Sequence, residues 1–255
     1  MSLPAPPALH RALEATWPPE ATQPAPSFVL RAGAGGGKRV SAATLEQTDA
    51  DAGQISAAET AMQAMGQPPL FMIRDRAHWP GDGALDAALQ DRGYQIVDPT
   101  LFLAAPIDAI ARAPRPMTTF PVWPPLALQA QLWSDAGIGP ARQAVMARAA
   151  GPKCAFMARH QNRAAGVGFA ALDRQTGIAM LHALEIVPAF RRSGVARELT
   201  GAIAHWAQGQ GATHFALAVT EANLAARGLY AGLGMAEAGR YHYRCMAAAT
   251  ERDIP

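Results

Sequence analysis

Two short basic stretches of this 255-residue chain carry glycine in a way that suits phosphate binding. The first is RAGAGGGKRV (residues 31–40), and the second is RRSGVA (residues 191–196). Backbone amides at the start of a helix attract anions, so a phosphate loop needs a helix directly after its glycine. The residues that follow each glycine therefore separate the two stretches.

The stretch 31–40 does not fit a Walker-type phosphate loop. Aligning Gly37 and Lys38 with the Gly-Lys pair of that motif puts Ala32 at its first glycine. Arg39 then stands where a hydroxyl residue would hold magnesium. The following sequence, KRVSAATL, is rich in small and β-branched residues and predicts a strand. We expect a glycine-rich hairpin turn here, and not a nucleotide site.

The stretch 191–196 has the context that the first stretch lacks. It joins a predicted strand to a predicted helix at residues 195–208, whose dipole would favour an anion at its start. The amides that would face a phosphate are those of Arg192, Ser193, Gly194, Val195 and Ala196. Gly194 and Ala196 allow close approach, and Arg191 adds positive charge. By itself this pattern also suits an ordinary strand–helix connection.

Two polar residues further along the chain favour a ligand site. Asn223 stands at the start of a predicted helix, and Tyr230 follows seven residues later, on the same helical face after two turns. Asn223 can cap the helix and offer its amide to a ligand, and Tyr230 would stand beside that ligand.

Proline divides the sequence into two parts. Six prolines between residues 105 and 125 disfavour a helix and predict a linker, so the expected domains are 1–112 and 117–255. In the second domain, three predicted strands are followed by helix, strand, helix and strand. This order predicts an α/β fold with a mixed sheet and helices against its faces.

The composition argues against several classes of function. A formal net charge of +2 gives no nucleic-acid surface. Cys154 and Cys245 fit neither a disulfide framework nor paired metal-binding thiolates, which favours a reducing, cytoplasmic compartment. The N-terminus lacks signal-peptide features, and no apolar run is long enough to span a membrane. We expect a soluble intracellular protein with no nucleic-acid, membrane or metal partner. The sequence does not indicate its oligomeric state.

Taken in order, these motifs resemble the GNAT superfamily of acetyl-CoA-dependent N-acetyltransferases. The resemblance is carried by EIVP, RRSGVA, TEANLAARGLYAGLGM and YHYR, and it spans residues 118–246. It implies a GNAT acyl-CoA N-acyltransferase fold, in which two central parallel strands splay apart around the pantetheine arm of CoA. It also implies acetyl transfer to a primary amine by direct attack through a ternary complex.

The resemblance assigns roles to individual residues. Backbone groups of Ile186 and Val187 would pair with pantetheine, and an amide near them would stabilise the oxyanion. Residues 191–196 would hold the pyrophosphate, and Asn223 would reach the cofactor arm. Tyr230 matches the tyrosine that protonates the leaving thiolate in many members.

The general base is left open between two residues. Glu185 is the candidate for deprotonating the ammonium form of the substrate, and His182 is the alternative. Plain strand alternation would place them on opposite faces, but a bulge common in this strand of the family would shift that register. Tyr241, His242 and Tyr243 are expected to be core and acceptor-site wall.

The N-terminal half reads as a degenerate copy of the C-terminal half. Aligning Gly93 with Gly234 sets Leu89 against Tyr230 and Asp82 against Asn223, so the acid is lost. Nothing upstream resembles RRSGVA. An unrelated α+β cap is the alternative. In either case, this half is expected to support the fold or select the acceptor.

Two further functions stay open at this stage. One is a non-catalytic acyl-CoA-binding sensor or interaction module of the same fold, and the other is transfer of a larger acyl group. The amine acceptor, a small molecule or a peptide, is not fixed by the motifs.

Overall fold

The computed structural model describes residues 2–246. Its helices are α1 (Pro6–Thr16), α2 (Lys38–Ser41), α3 (Ala52–Ala64), α4 (Pro80–Asp91), α5 (Ile107–Ile110), α6 (Ala127–Asp135), α7 (Pro140–Arg148), α8 (Val195–Gly209) and α9 (Leu224–Ala231). Its strands are β1 (Ala21–Ala25), β2 (Phe28–Ala32), β3 (Thr44–Leu45), β4 (Leu70–Arg74), β5 (Tyr94–Pro106), β6 (Thr119–Val122), β7 (Lys153–His160), β8 (Arg163–Asp173), β9 (Ile178–Ile186), β10 (His214–Thr220) and β11 (Ala236–Met246). No helix in this range combines the length and apolar character needed to cross a bilayer.

The described residues form two compact units that interleave along the chain. Unit one contains residues 2–17, Phe102–Val219 and Asn223–Ala238. Unit two contains Pro18–Leu101, Thr220–Ala222 and residues 239–246. Helix α1 therefore belongs to unit one, although it lies at the start of the chain.

Unit one is built on a mixed sheet with the strand order β5–β10–β9–β8–β7–β6. The strands from β6 to β9 are antiparallel, while β9 and β10 are parallel. Helix α8 packs on β7, β8 and β9, because Leu199, Ile203 and Ala207 recur every four residues and are buried. Helices α1 and α6 also pack against β8 and β9. This is the predicted mixed α/β architecture.

Unit two holds a small antiparallel sheet, β1–β2–β3, and three strands in the order β4–β11–β5. In its core, the ring of Phe71 meets Phe28 and Tyr94 edge-on, at centroid distances of 5.6 and 5.7 Å. Helices α3 and α4 cover this core with the buried residues Ile55, Ala58, Met62, Leu85 and Leu89.

Each half of the chain places its last strand in the unit that the other half mainly builds. Strand β5 ends the N-terminal half, and from Phe102 onward it lies in unit one beside β10. Strand β11 ends the C-terminal half, and from residue 239 it lies in unit two, with Tyr243 opposite Met72 of β4. Both halves therefore repeat the order of strand, helix and exchanged strand, which agrees with the predicted two copies.

Three local features of the structure differ from what the sequence led us to expect. The strand expected over residues 38–45 is wrong, because Lys38–Ser41 forms a turn of helix before the short β3. Val40 and Ser41 are buried there, and Ser41 Oγ donates to the Gly37 carbonyl at 3.2 Å, so local packing outweighs strand propensity. The linker starts with one helical turn, Ile107–Ile110, and β1 was not expected.

The glycine run at residues 33–37 and the two basic residues after it make structural contacts within unit two. The Gly33 amide donates to Gln67 Oε1 at 3.2 Å. Lys38 Nζ pairs with Asp98 at 2.9 Å, and the half-buried Arg39 hydrogen-bonds the hydroxyls of Tyr241 and Tyr243 on β11. Both cations that a phosphate would need are therefore bound to protein groups.

Candidate active site

The parallel strands β9 and β10 pair along only part of their length. Their register begins with Ile178 opposite His214 and ends with Leu181 opposite Leu217, although both strands continue beyond this point. The strands part after the last pair, so a gap opens between their carboxyl ends. An extended ligand can enter such a gap as an added strand. This geometry agrees with the splay that the family resemblance implied.

A β-bulge in β9 sets the side chains at the mouth of this gap. Val167 of β8 lies opposite Glu185, and Phe169 lies opposite His182, so two steps along β8 match three along β9. Ala183 takes up the extra residue in a left-handed conformation, with φ at 50°. The predicted bulge is therefore present, and it breaks the simple alternation of the strand.

His182 is committed to helix α1. It is buried, with Nε2 2.9 Å from Thr16 Oγ1 and its ring 4.9 Å from that of Trp17. The Thr16 hydroxyl donates its single proton to the Ala12 carbonyl at 2.6 Å, so it accepts from His182 Nε2–H. These contacts give His182 a structural role and leave Glu185 as the better-supported base.

Glu185 and Tyr230 interact electrostatically. Glu185 is half-buried, and loss of solvent raises the pKa of its carboxyl, while the nearby Arg191 guanidinium opposes that rise. Tyr230 of α9 is 6% exposed, and burial raises the pKa of its hydroxyl. The negative charge of Glu185 raises the pKa of Tyr230 further. The two predicted side chains therefore lie within electrostatic range of each other.

The loop between β9 and α8 presents the start of α8 without a capping side chain. Gly194 is the N-cap at φ 87°, and no side-chain hydrogen bond caps the first turn. Ser193 Oγ donates to the Phe190 carbonyl at 2.6 Å, and Arg192 is left-handed at φ 62°. These contacts fix a loop whose amides and helix dipole suit an anion.

The amides of Ile186 and Val187 point in different directions. The Val187 amide donates to the Ala165 carbonyl of β8 at 3.0 Å. Successive residues of a strand direct their amides to opposite edges, so the Ile186 amide faces the edge toward β10. The Ile186 carbonyl accepts from Arg191 Nε at 3.3 Å. Of the two amides considered for the oxyanion, that of Ile186 has the suitable direction.

Both ends of helix α9, which carries Tyr230, are fixed by side chains. At its start, the Asn223 side chain accepts from the Ala226 amide at 3.0 Å, as expected for a cap. At its end, Arg197 Nη1 donates to the Gly232 carbonyl at 2.9 Å. Sequence reasoning missed Arg197, although it directly follows RRSGVA.

A pocket of about 330 Å³ adjoins the first turns of α8. Three arginines and one glutamate supply the charges of its lining: Arg112, Arg115, Arg197 and Glu198. Arg115 pairs with Glu198 at 2.5 Å, and the Arg112 amide donates to the Gly201 carbonyl at 3.0 Å. The lining therefore has a net positive charge. Two of its arginines, Arg112 and Arg115, come from the segment that was predicted to be only a linker.

The matching helix start in the N-terminal half is closed to an anion. Strands β3 and β4 correspond to β9 and β10, since Ala43 and Phe71 form a parallel bridge beside them. The following helix, α3, begins with a capping box, in which Asp51 accepts from the Gln54 amide at 2.8 Å. A carboxylate here replaces the uncapped glycine of α8.

The positions of the N-terminal half that align with Asn223 and Tyr230 also hold groups with structural contacts. Arg74 at the end of β4 donates to the Leu45 carbonyl of β3 and binds Asp82 at 3.0 Å. Asp82, which aligns with Asn223, is fully committed to this pair, and Leu89, which aligns with Tyr230, is buried in the core. This half lacks both the uncapped helix start and the tyrosine hydroxyl of the C-terminal half, which is consistent with the expected degenerate copy.

Comparison with known proteins shows a likeness to one family in the second half of the chain. Residues 113–235 match the model of the acetyltransferase (GNAT) family. The matched segment, which is similar to that family, contains the splayed strands, the α8 loop and Tyr230. A search of curated protein sequences gave no match.

Solved structures show the same fold at low identity. A GCN5-related N-acetyltransferase from Kribbella flavida superposes with a TM-score of 0.71 at 17% identity, over 97% of each chain. A tandem GNAT protein from the clavulanic acid biosynthesis pathway superposes with a TM-score of 0.60 at 15% identity. That match covers 96% of this chain and 94% of the other, which agrees with a fold of two related halves.

Proposed function

We propose that this protein transfers the acetyl group of acetyl-CoA to a primary amine. The observation that carries the proposal is the parting of β9 and β10 after Leu181, beside the bulge that carries Glu185 and the uncapped start of α8. Glu185 as the base and Tyr230 as the acid would act beside this gap and the uncapped start of α8.

The residues of the C-terminal half fit the parts of acetyl-CoA. The amides of Arg192 to Ala196 and the side chain of Arg191 would hold the pyrophosphate. The inner edge of β9 at Ile186 would pair with the pantetheine arm, and Asn223 would reach the same arm from α9. Acetyl-CoA supplies a thioester, whose thiol with a pKa of about 8.5 is a tolerable leaving group.

Direct attack of the amine on the thioester needs two proton transfers, and Glu185 and Tyr230 would each perform one of them. Glu185 accepts a proton from the ammonium form of the acceptor, and its raised pKa makes it a stronger base than an exposed carboxylate. Tyr230, whose raised pKa keeps its hydroxyl protonated near neutral pH, donates to the departing thiolate. The Ile186 amide would stabilise the oxyanion.

A covalent route through cysteine is disfavoured by the burial of the thiols. Burial raises the pKa of Cys154 to about 11, and burial also raises the pKa of Cys245, so both stay protonated at neutral pH.

Binding and turnover of acetyl-CoA test the proposal separately. Millimolar acetyl-CoA is expected to raise the melting temperature of the full chain, because a ligand that binds only the native state stabilises it. Tyr230→Phe should retain this thermal shift and lower kcat by about 100-fold or more. Tyr94→Phe is the matched control, because it removes a buried hydroxyl that bonds Glu59 at 2.8 Å in unit two. It should leave kcat unchanged.

The acceptor is identified by measuring CoA release across a panel of amines. The panel contains peptide N-termini, lysines, polyamines, amino acids and amine-bearing antibiotics, each tested with acetyl-CoA and a longer acyl-CoA. Absence of any thermal shift would overturn the proposal. A thermal shift without CoA release from any acceptor would instead support a non-catalytic acyl-CoA sensor.

A further inference from the structure

The bulge in β9 needs a support outside the strand pair. Ala183 lies at φ 50°, a region that residues with a Cβ avoid, and the pairing of β9 with β8 shifts register there. On the β8 side, a Cβ on Gly166 would lie only 2.8 Å from the Glu185 carbonyl. The small residue at position 166 therefore makes room for the bulge but does not hold it.

The support comes from Trp133 of helix α6. Its indole Nε1–H donates to the Ala183 carbonyl at 2.8 Å, and the side chain is fully buried. A buried indole N–H requires an acceptor, so this hydrogen bond links the position of α6 to the left-handed residue. The link joins two segments that are fifty residues apart in the sequence.

The position of the bulge sets the direction of the groups that follow it. Glu185 is two residues beyond Ala183, and Ile186 is three residues beyond it. In a strand, a shift of one residue turns each side chain to the other face and each amide to the other edge. The face of Glu185 and the edge reached by the Ile186 amide both depend on the bulge staying at Ala183.

We propose that Trp133 is a positioning residue, whose indole N–H fixes the bulge at Ala183 and thereby aims Glu185 and the Ile186 amide at the thioester. The proposal rests on the acetyltransferase function proposed above. Trp133 acts only through the backbone of β9 and touches no reacting atom in this scheme.

Trp133→Phe tests the indole donor while retaining an aromatic ring. The expected results are a kcat at least 10-fold lower, a KM for acetyl-CoA within 2-fold of wild type, and a shifted pKa for Glu185. That pKa is measured by carbon NMR titration of the protein without cofactor, so this readout does not depend on turnover. Arg191 and Tyr230 are the ionisable groups that interact with Glu185, and both are unchanged in this variant.

Trp206→Phe is the matched control. Trp206 lies on α8 and meets the ring of Phe156 edge-on at 5.5 Å, away from the bulge. This variant should keep the kcat and the Glu185 pKa of wild type. If both tryptophan variants lose kcat in proportion to their loss of melting temperature, Trp133 is merely structural and the proposal is wrong.

Ala183→Gly in the Trp133→Phe background provides a rescue. Glycine adopts the left-handed conformation without strain, so the bulge should return and restore at least half of the lost kcat. If Trp133→Phe does not fold, Gly166→Ala crowds the same bulge from β8 and should shift the Glu185 pKa with Trp133 intact. A wild-type Glu185 pKa in the variant that folds overturns the proposal. A shifted pKa in a protein that never releases CoA would refute the proposed function alone.

Discussion

Glu185 is a carboxylate held where water solvates it poorly. Burial raises its pKa, and Arg191 only partly offsets this. A folded-state pKa above the unfolded value means that the native state binds the proton more tightly. The associated stability is present at acid pH and is lost as the pH rises from about 4.3, the unfolded value, through the folded pKa.

Glu185→Gln should therefore stabilise the protein at neutral pH and inactivate it. The neutral amide has no ionised form to desolvate, so its melting temperature should exceed that of wild type at pH 7 and match it below about pH 4. Turnover should fall by about 100-fold or more. Melting curves at both pH values check the prediction, with Glu20→Gln as the control at an exposed glutamate. A melting-temperature gain that does not vary with pH would contradict it.

Single residues were predicted well where their role is local. Asn223 caps the helix that its position in the sequence indicated, and Gly194 begins the helix that RRSGVA predicted. The choice between Glu185 and His182 could not be made, because it depends on Thr16, which is 166 residues away from His182. Trp133 was missed for the same reason, since its acceptor is a distant backbone carbonyl.

Helix α9 has only two turns, so its ends control where Tyr230 stands. Asn223→Ala removes the cap and should destabilise the protein by about 1 kcal/mol. Asn223→Asp keeps an acceptor for the Ala226 amide and should retain the stability. The carboxylate has no N–H donor and repels an anionic cofactor, so we expect Asn223→Asp to weaken acetyl-CoA binding. Calorimetric binding and melting curves separate the two roles, and equal acetyl-CoA affinity in Asn223→Asp would restrict Asn223 to capping.

Among the elements, the helix with a long periodic pattern was predicted correctly, whereas the short helical turns at residues 38–41 and 107–110 were not. The buried apolar spacing of α8 marks it as a helix without tertiary information. Residues 38–41 have no such pattern, and their helical turn follows from contacts of Lys38 and Arg39 with Asp98 and β11. Contacts of this kind are formed by the tertiary fold and leave no local trace in the sequence.

Because the two units interleave along the chain, cutting it at the predicted domain limits should remove parts of unit one. A fragment of residues 117–255 lacks α1, which buries Leu9, Ala12 and Leu13 and packs on β8 and β9. It also lacks the end of β5, so one edge of β10 is exposed. We expect this fragment to melt well below the full chain or to aggregate. Circular dichroism melts compare the two, and equal melting temperatures would show that the C-terminal domain is independent.

The exchange of terminal strands also constrains the order in which the protein can fold during synthesis. Domains of most proteins fold as units as soon as they leave the ribosome, beginning at the N-terminus. Here β4 must wait for β11, and α1 must wait for β8 and β9, and in both cases the partner is synthesised much later. Both units are therefore completed late and almost together, by pairings between distant parts of the chain that close slowly. A nascent chain arrested before residue 239 would leave one edge of strand β4 unpaired. At this stage we expect the exposed strand edge to be a binding site for chaperones.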